Sequence, residues 1–145
     1  MWLPVWSEEL LIGVEEIDRQ HRELLLTLSG FMEALGNPQT SREYYRTTME
    51  QTKALVIEHF NTEEKHFGEI GFTEAEYHTE LHKSFFEKAT DFDIELIKTD
   101  YDPEVALRLV EMLIAWFTEH IRCEDRKMAD PVFWSGREET PRFQL

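Results

Sequence analysis

Cysteine is almost absent from the sequence, since the 145 residues include only Cys123. A single thiol cannot form an internal disulfide bond, so the fold has to be stable without one, and we expect a cytoplasmic protein. Cys123 lies three residues after His120 and could be read as a metal ligand. We favour an ordinary position on the flank of a helix.

Basic residues are scarce as well: 15 Lys and Arg stand against 30 Asp and Glu, which gives a net charge of -15 at pH 7. Proteins bind nucleic acids through phosphates, and phosphate binding requires clustered basic side chains. The composition therefore argues against a nucleic-acid partner. We expect the negative charge to keep the surface soluble and to be offset in part by bound cations.

Long apolar runs are missing too. No stretch approaches the roughly 20 apolar residues that cross a bilayer, and the N-terminal residues lack the basic and apolar regions of a secretion signal. We therefore expect no membrane insertion. With 41% hydrophobic and 12% aromatic residues, the chain can instead build the core of one globular domain, which we predict to span residues 1–145.

The apolar residues recur at helical spacing in four segments. Thr40 and Thr73 are each followed by a glutamate three residues later, which is the capping-box pattern of a helix start. Asp102 followed by Pro103 is also typical of a helix N-terminus. The predicted helices begin near Val14, Thr40, Thr73 and Asp102, and the last one ends near Met128.

Four amphipathic helices with short connections predict an all-α fold, an up-down-up-down antiparallel four-helix bundle over residues 14–129. Residues 1–13 would form an N-terminal arm, in which we expect Trp2 and Trp6 to pack over the bundle. Residues 130–145 would form a C-terminal tail. This tail contains Phe133, Trp134 and Phe143 and is predicted to be a loop.

Polar side chains interrupt the apolar stripes of the second and third helices. His59 and Glu63 are four residues apart, and so are His78 and His82. Four residues make about one helical turn, so each pair projects from one face of its helix. Two such pairs on adjoining helices are typical of a metal site.

The remaining candidate ligands lie near the same end of the predicted bundle. His21 is close to the start of the first helix, and His120 is close to the end of the fourth. In an antiparallel bundle these ends meet the end of the second helix and the start of the third. Asp125 is the candidate carboxylate of the fourth helix, although about 140° of rotation on a continuous helix separates it from His120.

Metal binding explains such a cluster because histidines and carboxylates are costly to bury unless they are paired or bound to a metal. Imidazoles and carboxylates suit iron, and two bridging carboxylates suit a dinuclear centre. A ferritin-like di-iron site would require two Glu-x-x-His pairs, whereas only Glu63 and His66 form one. A zinc hydrolase remains a weaker alternative, since it would need fewer ligands and an open polar cleft.

Four stretches of the sequence resemble the hemerythrin family, in particular its single-domain bacterial members, the bacteriohemerythrins. They are W-S-E-E-L-L-I-G-V-E-E-I-D-R-Q-H ending at His21, H-F-N-T-E-E from His59, H-T-E-L-H-K-S-F from His78 and W-F-T-E-H-I-R-C-E-D from Trp116. The resemblance extends from about Trp6 to Asp125, and all seven ligand positions of the family pattern are filled.

The resemblance implies two iron ions, one held by three histidines and the other by two. The three histidines would be His78, His82 and His120, the two would be His21 and His59, and the bridging carboxylates would be Glu63 and Asp125. An oxygen atom would form a third bridge. The iron with two histidines would keep an open position, where dioxygen binds.

The resemblance also implies an apolar oxygen pocket contributed by two neighbouring helices. Its residues would be Phe60, Trp116, Phe117 and Ile121. Two positions depart from the family pattern, because Phe117 is bulkier than the expected aliphatic residue and Phe67 stands where methionine is common. His66 matches no ligand of the family, and we expect it to be exposed at a helix end or hydrogen-bonded behind a ligand.

The implied function is reversible binding of dioxygen by a non-haem di-iron protein, for oxygen storage, delivery or sensing, rather than enzymatic turnover. Two alternatives stay open at this point. A di-iron enzyme would act on peroxide or nitric oxide. A signalling module would respond to oxygen or to redox state through an unidentified partner protein.

Overall fold

The structure is a computed structural model that describes residues 6–135, and four long α-helices account for most of them. α1 spans Glu15–Leu35, α2 spans Arg42–Ile70, α3 spans Ala75–Lys98 and α4 spans Pro103–Cys123. Each helix packs against the next one in the chain, and α4 also packs against α1. The predicted all-α four-helix bundle is therefore confirmed, with α1 diagonal to α3 and α2 diagonal to α4.

One end of the bundle is an ordinary hydrophobic core. The late part of α1 and the late part of α3 bury Phe31 and Leu96, which are both 0% exposed. The early parts of α2 and α4 face them with Met49 and Leu109. Burying a side chain of this size stabilises a fold by about 1.5–3 kcal/mol, so this end can offset a polar interior at the other. No helix within residues 6–135 is long and apolar enough to cross a membrane.

α2 begins one position later than the capping-box pattern predicts. The Ser41 hydroxyl caps it by accepting a hydrogen bond from the Tyr44 amide at 3.1 Å. Thr40 instead donates its hydroxyl to the Ala34 carbonyl at 2.8 Å and so satisfies the C-terminal end of α1. The predicted Thr40 cap is wrong because the preceding turn already uses that side chain.

The capping box predicted for α3 is wrong as well, whereas the cap predicted for α4 is confirmed. The N-cap of α3 is Glu74, which makes no side-chain capping bond. The Thr73 amide donates to the Phe133 carbonyl at 2.7 Å, so Thr73 is held by the C-terminal segment. At α4, the Asp102 carboxylate accepts a hydrogen bond from the Glu104 amide at 3.1 Å.

α4 ends at Cys123, earlier than the predicted end near Met128. The Glu124 amide donates to the His120 carbonyl at 2.8 Å, and a 3-10 helix over Asp125–Ala129 follows. Asp125 is the first residue of this 3-10 helix, and despite the rotation of about 140° expected on a continuous helix its Oδ1 atom lies 3.1 Å from Nε2 of His120.

The described part of the N-terminal arm packs on the bundle. Leu10 and Ile12 are buried, and Trp6 is partly buried against the core. The Asp18 carboxylate, in the first turn of α1, accepts hydrogen bonds from the amides of Ile12 at 2.8 Å and Gly13 at 3.0 Å. The arm is therefore held by α1, and Trp2 lies outside the described residues.

The C-terminal segment of residues 125–135, which we call the clasp, closes over the turn between α2 and α3. Trp134 forms an isolated antiparallel bridge with Phe72, and the Ser135 amide donates to the Gly71 carbonyl at 2.6 Å. Gly71 has a φ of +60°, and a Cβ at this position would collide with Ser135. Only glycine therefore fits both the backbone and the contact.

The part of the tail predicted to be a loop forms a short 3-10 helix, Pro131–Phe133, within the clasp. The Phe133 ring lies 6.3 Å from the Phe72 ring, and the Trp134 indole donates to the Met128 carbonyl at 2.8 Å. This part of the tail is thus docked on the bundle. Phe143 lies outside the described residues.

Candidate metal centre

All seven predicted ligand residues meet at one end of the bundle, and none of their side chains is more than 5% exposed. α1 contributes His21 from its second turn, and α2 contributes His59 and Glu63 from its second half. α3 contributes His78 and His82 from its first turns. α4 contributes His120 from its last turn, and the clasp contributes Asp125.

One group of facing ligand atoms comes from His21, His59, Glu63 and Asp125, and we call it the two-histidine group. The Nε2 atom of His59 lies 2.7 Å from Oε2 of Glu63. The Nε2 atom of His21 lies 3.4 Å from the same oxygen and 2.9 Å from Oδ2 of Asp125. One ligand atom from each of these four residues lies within 4.8 Å of the others. This spacing is compact enough for a single metal ion.

The other group comes from Glu63, His78, His82 and His120, and we call it the three-histidine group. The Nε2 atoms of His78 and His82 lie 3.2 Å and 3.0 Å from Oε1 of Glu63. The Nε2 atom of His120 lies 3.1 Å from Oδ1 of Asp125 and 3.0 Å from Nε2 of His78. Two imidazole nitrogens at that distance can share only one proton, so at least one lone pair is left for another cation.

Both carboxylates face both groups. Glu63 turns Oε2 towards the two-histidine group and Oε1 towards the three-histidine group. Asp125 does the same, with Oδ2 towards His21 and Oδ1 towards His78 and His120. A carboxylate can bind one metal ion with each oxygen, so the arrangement suits two ions side by side.

Several of these buried atoms have no hydrogen-bond partner within residues 6–135. They include Nε2 of His59, Nε2 of His82 and both carboxylate oxygens of Asp125. Each lies within 3.0 Å of another ligand atom, but not in a hydrogen-bonding orientation. An unsatisfied buried polar atom costs about 1–3 kcal/mol, and coordination of a metal would remove that cost. The donor set therefore fits a metal ion.

The electrostatics of the centre also favour cations. Burial disfavours the charged form of His21, but the neighbouring carboxylates of Asp125 and Glu63 outweigh burial and raise its pKa to about 9. The same balance raises the pKa of His78 to about 9. Burial also acts to raise the pKa values of Glu63 and Asp125, yet the surrounding histidines hold both well below their usual range. The carboxylates thus keep their negative charge inside the bundle.

Aromatic rings cover the histidines of the three-histidine group. The Phe60 ring stacks on the His82 ring, with centroids 3.7 Å apart and planes at 6°. The Trp116 ring stacks on the His120 ring at 4.2 Å and 15°. These two residues belong to α2 and α4, which are diagonal partners. The prediction that neighbouring helices supply the pocket is therefore wrong, because neighbours in an up-down-up-down bundle are α4 with α1 and helices consecutive in the chain, and α2 and α4 are neither.

Phe117 and Ile121 complete the set of predicted pocket residues. The Phe117 ring lies 6.4 Å from the His59 ring and the Phe60 ring lies 5.9 Å from it, so both rings also pack against the two-histidine group. Both Phe117 and Ile121 are 0% exposed.

The predicted pocket omits Phe85, whose ring lies 4.4 Å from the Trp116 ring. Its position three residues after His82, on the same face of α3, is the signal that could have found it.

Three further side chains clarify the boundary of the centre. His66 belongs to neither ligand group, and its ring faces Glu69 at 3.4 Å with 20% of the side chain exposed. The Cys123 side chain is exposed at the end of α4. The Phe67 ring lies 5.0 Å from the His78 ring, so the phenylalanine found in place of the family's common methionine packs directly on a candidate ligand.

The fold and the site together define a four-helix-bundle protein with a buried histidine- and carboxylate-rich metal-binding site. A family model described as the hemerythrin HHE cation binding domain matches residues 12–130. The chain belongs to the hemerythrin family.

Similar proteins match over nearly the same length. A bacteriohemerythrin of Clostridium acetobutylicum is 29% identical over 133 residues, which cover 87% of this chain and 98% of the relative. A bacteriohemerythrin of Stenotrophomonas maltophilia is 27% identical, with 91% and 83% covered. A hemerythrin-like protein of Naegleria gruberi is 25% identical, with 84% and 87% covered.

Alanine substitutions on α2 separate ligands from bystanders. We expect His59→Ala to lose bound metal, because Nε2 of His59 is one of two imidazole nitrogens in its group. His66→Ala is the matched control and should retain all metal, since its ring faces Glu69 at the surface. Elemental analysis of both purified variants checks this. Loss of metal from His66→Ala would show that the ligands of α2 are wrongly assigned.

The stability of protein stripped of metal by a chelator should depend on pH in a defined direction. The raised pKa values of His21 and His78 contribute stability that is complete below about pH 6.5 and is lost as the pH rises through about 9. The lowered pKa values of Glu63 and Asp125 contribute stability that is lost only in acid. We therefore expect the melting temperature to be highest between about pH 5 and 6.5 and to fall towards pH 9.5.

Metal-loaded protein provides the comparison for this pH series. Bound histidines have to be neutral, so the alkaline loss of stability should be weaker with metal present. Thermal unfolding followed by circular dichroism measures both forms. A melting temperature of the stripped protein that stays constant from pH 6.5 to 9.5 would contradict the proposed electrostatics.

Proposed function

We propose that the chain is a non-haem di-iron protein that binds dioxygen reversibly, for oxygen storage, delivery or sensing. The observation that carries this proposal is the pair of ligand groups joined by two shared carboxylates, each of which faces both groups. Two ferrous ions, once bound, would supply the electrons that dioxygen takes up when it binds. Membership of the hemerythrin family and the bacteriohemerythrin relatives support the same function.

In this proposal the two groups have different roles. His78, His82 and His120 would hold one iron, and His21 with His59 would hold the other. Glu63 and Asp125 face both groups and keep their negative charge, which would offset part of the charge of the two cations. The two-histidine group has one protein ligand fewer, so we assign the open position for dioxygen to it.

Side chains around the centre keep water and anions away from it. Phe117 packs on the two-histidine side and is fully buried, while Phe60 and Trp116 stack on His82 and His120. A charged or strongly hydrated species loses its hydration when it enters these apolar surroundings, and the free-energy cost is large. For a small neutral molecule the cost is small. Binding without turnover follows from this enclosure, because oxygen chemistry beyond binding requires protons or a second substrate.

Metal analysis and a cycle of air exposure test the proposal. We expect two irons per chain in protein from iron-replete cells. The anaerobically reduced protein should gain a visible absorption band in air and lose it when the air is removed, over several cycles. One zinc and no iron would contradict the di-iron centre. Oxidation in a single irreversible cycle, or turnover of added peroxide or nitric oxide, would favour the di-iron enzyme instead.

Shortening Ile121 tests how the centre is enclosed. Ile121 follows His120 directly and is fully buried, so Ile121→Ala should open space beside a ligand without removing one. We expect two irons to remain, the reduced protein to oxidise faster in air, and azide to bind faster to the oxidised protein. The two rates should rise together, since both depend on the same access.

A buried aliphatic residue far from the centre serves as the control for Ile121→Ala. Val110 is also 0% exposed and lies 11 residues earlier on α4, about 16 Å along the helix. Val110→Ala should lower the melting temperature without changing either rate. Stopped-flow measurements that find both rates of Ile121→Ala unchanged, with iron intact, would show that Ile121 does not limit access.

A further inference from the structure

Gln20 is a buried polar side chain that sequence reasoning left unexplained. It lies on α1 beside His21 and is 5% exposed. Its side chain reaches α2, where one end lies 3.0 Å from Nδ1 of His59. The other end lies 2.9 Å from Oγ1 of Thr62 and 3.4 Å from a carboxylate oxygen of Glu58. Gln20 therefore connects a candidate ligand to two other side chains of α2.

The direction of these hydrogen bonds is fixed at Thr62. Its hydroxyl donates to the Glu58 carbonyl at 3.0 Å, which uses the only proton that a threonine hydroxyl has. The Thr62 oxygen can therefore only accept from Gln20, so the NH2 group of Gln20 faces Thr62. The Glu58 carboxylate, which is also an acceptor, requires the same orientation.

The tautomer of His59 follows from this orientation. With its NH2 group towards Thr62, Gln20 presents its carbonyl oxygen to Nδ1 of His59. A carbonyl oxygen can only accept, so Nδ1 has to carry the proton. In a neutral imidazole the other nitrogen is then unprotonated. The lone pair of Nε2 thus faces Glu63 and the centre of the two-histidine group.

The three-histidine group is supported by a different kind of acceptor. Nδ1 of His82 lies 3.4 Å from a carboxylate oxygen of Glu64, whose side chain is 42% exposed. His21, the other histidine of the two-histidine group, has an Nδ1 atom that is buried and has no hydrogen-bond partner within residues 6–135. A carboxylate therefore supports a ligand of the three-histidine group, whereas a neutral amide supports His59.

We propose that Gln20 is a positioning residue that fixes the proton of His59 on Nδ1 and, as a neutral acceptor, keeps His59 a weaker electron donor than a carboxylate-supported histidine. This inference rests on the proposed di-iron centre, because His59 belongs to the group to which we assign the open position. Hydrogen bonds to charged acceptors are stronger than those to neutral ones. An acceptor behind a metal-bound histidine orients the ring and raises its basicity. A neutral amide thus orients His59 with the smaller gain in basicity.

The positioning role is tested by removing the acceptor. Gln20→Met keeps a similar side-chain volume but has no amide, and Gln51→Met is the control on the exposed face of α2. We expect Gln20→Met to weaken ferrous iron binding by about 10–100-fold in competition with a chelator, which is the usual effect of removing such a support. In zinc-loaded protein, which is suitable for NMR, the slowly exchanging Nδ1 proton of His59 should be lost. Gln51→Met should match the wild type in both measurements.

The role of the neutral acceptor is tested by a charge swap. The double variant Gln20→Glu with Glu58→Gln keeps the net charge and the number of hydrogen-bonding groups, but places a carboxylate behind His59. The carboxylate should lower the midpoint potential of the loaded iron, speed its oxidation in air and move the His59 Nδ1 proton resonance downfield. Glu64→Gln is the mirror change behind His82 and should raise the midpoint potential.

The outcomes separate this inference from the proposed function. If the wild type binds two irons but Gln20→Met changes neither the iron affinity nor the His59 proton resonance, Gln20 has no positioning role and the di-iron proposal stands. If the charge swap leaves the potential unchanged or raises it, the neutral acceptor does not limit electron donation. If the wild type binds no iron, the proposed function and this inference both fail.

Discussion

The burial of five imidazoles and two carboxylates in one small volume is the constraint on which the rest of the structure depends. None of the four helices could bury its share alone, because each contributes lone pairs or charges that need partners from another helix. Glu63 meets histidines from α1, α2 and α3, and Asp125 meets histidines from α1, α3 and α4. The two carboxylates therefore join the helices at this end, while Phe31 and Leu96 illustrate the apolar packing that holds the other end.

The surroundings of the two ligand groups differ, and the difference has chemical consequences. Stacked rings on His82 and His120 limit how far these ligands can turn and keep water from their faces. The two-histidine group has the Phe117 ring on one side and the hydrogen-bonded Gln20 behind His59. The three-histidine group thus has rings stacked on two of its ligands, whereas the two-histidine group has a neutral amide hydrogen-bonded behind His59. An asymmetric centre of this kind can hold two metal ions in unequal environments.

The parts of the fold and of the candidate site that follow from helical periodicity were predictable from the sequence. His59 and Glu63 share a face because they are four residues apart, and the antiparallel topology brings the helix ends together. Asp125 could not be placed in this way, since its position depends on where α4 gives way to a 3-10 helix. The capping role of Thr40 was mistaken because a hydroxyl can serve either of two adjacent turns. Gln20 gave no periodic signal, because its role depends on a contact with another helix.

The clasp has a consequence for the order in which the centre forms. Asp125 lies outside α4, and the segment after it is held by bonds to the turn between α2 and α3, including the pairing of Trp134 with Phe72. During synthesis the five ligand histidines leave the ribosome before these contacts can form. A nascent chain could therefore assemble the helices first and gain its second carboxylate only after Ser135 reaches Gly71. Completion of the site is thus coupled to the emergence of Trp134 and Ser135, which makes a fully formed centre a sign of a docked clasp.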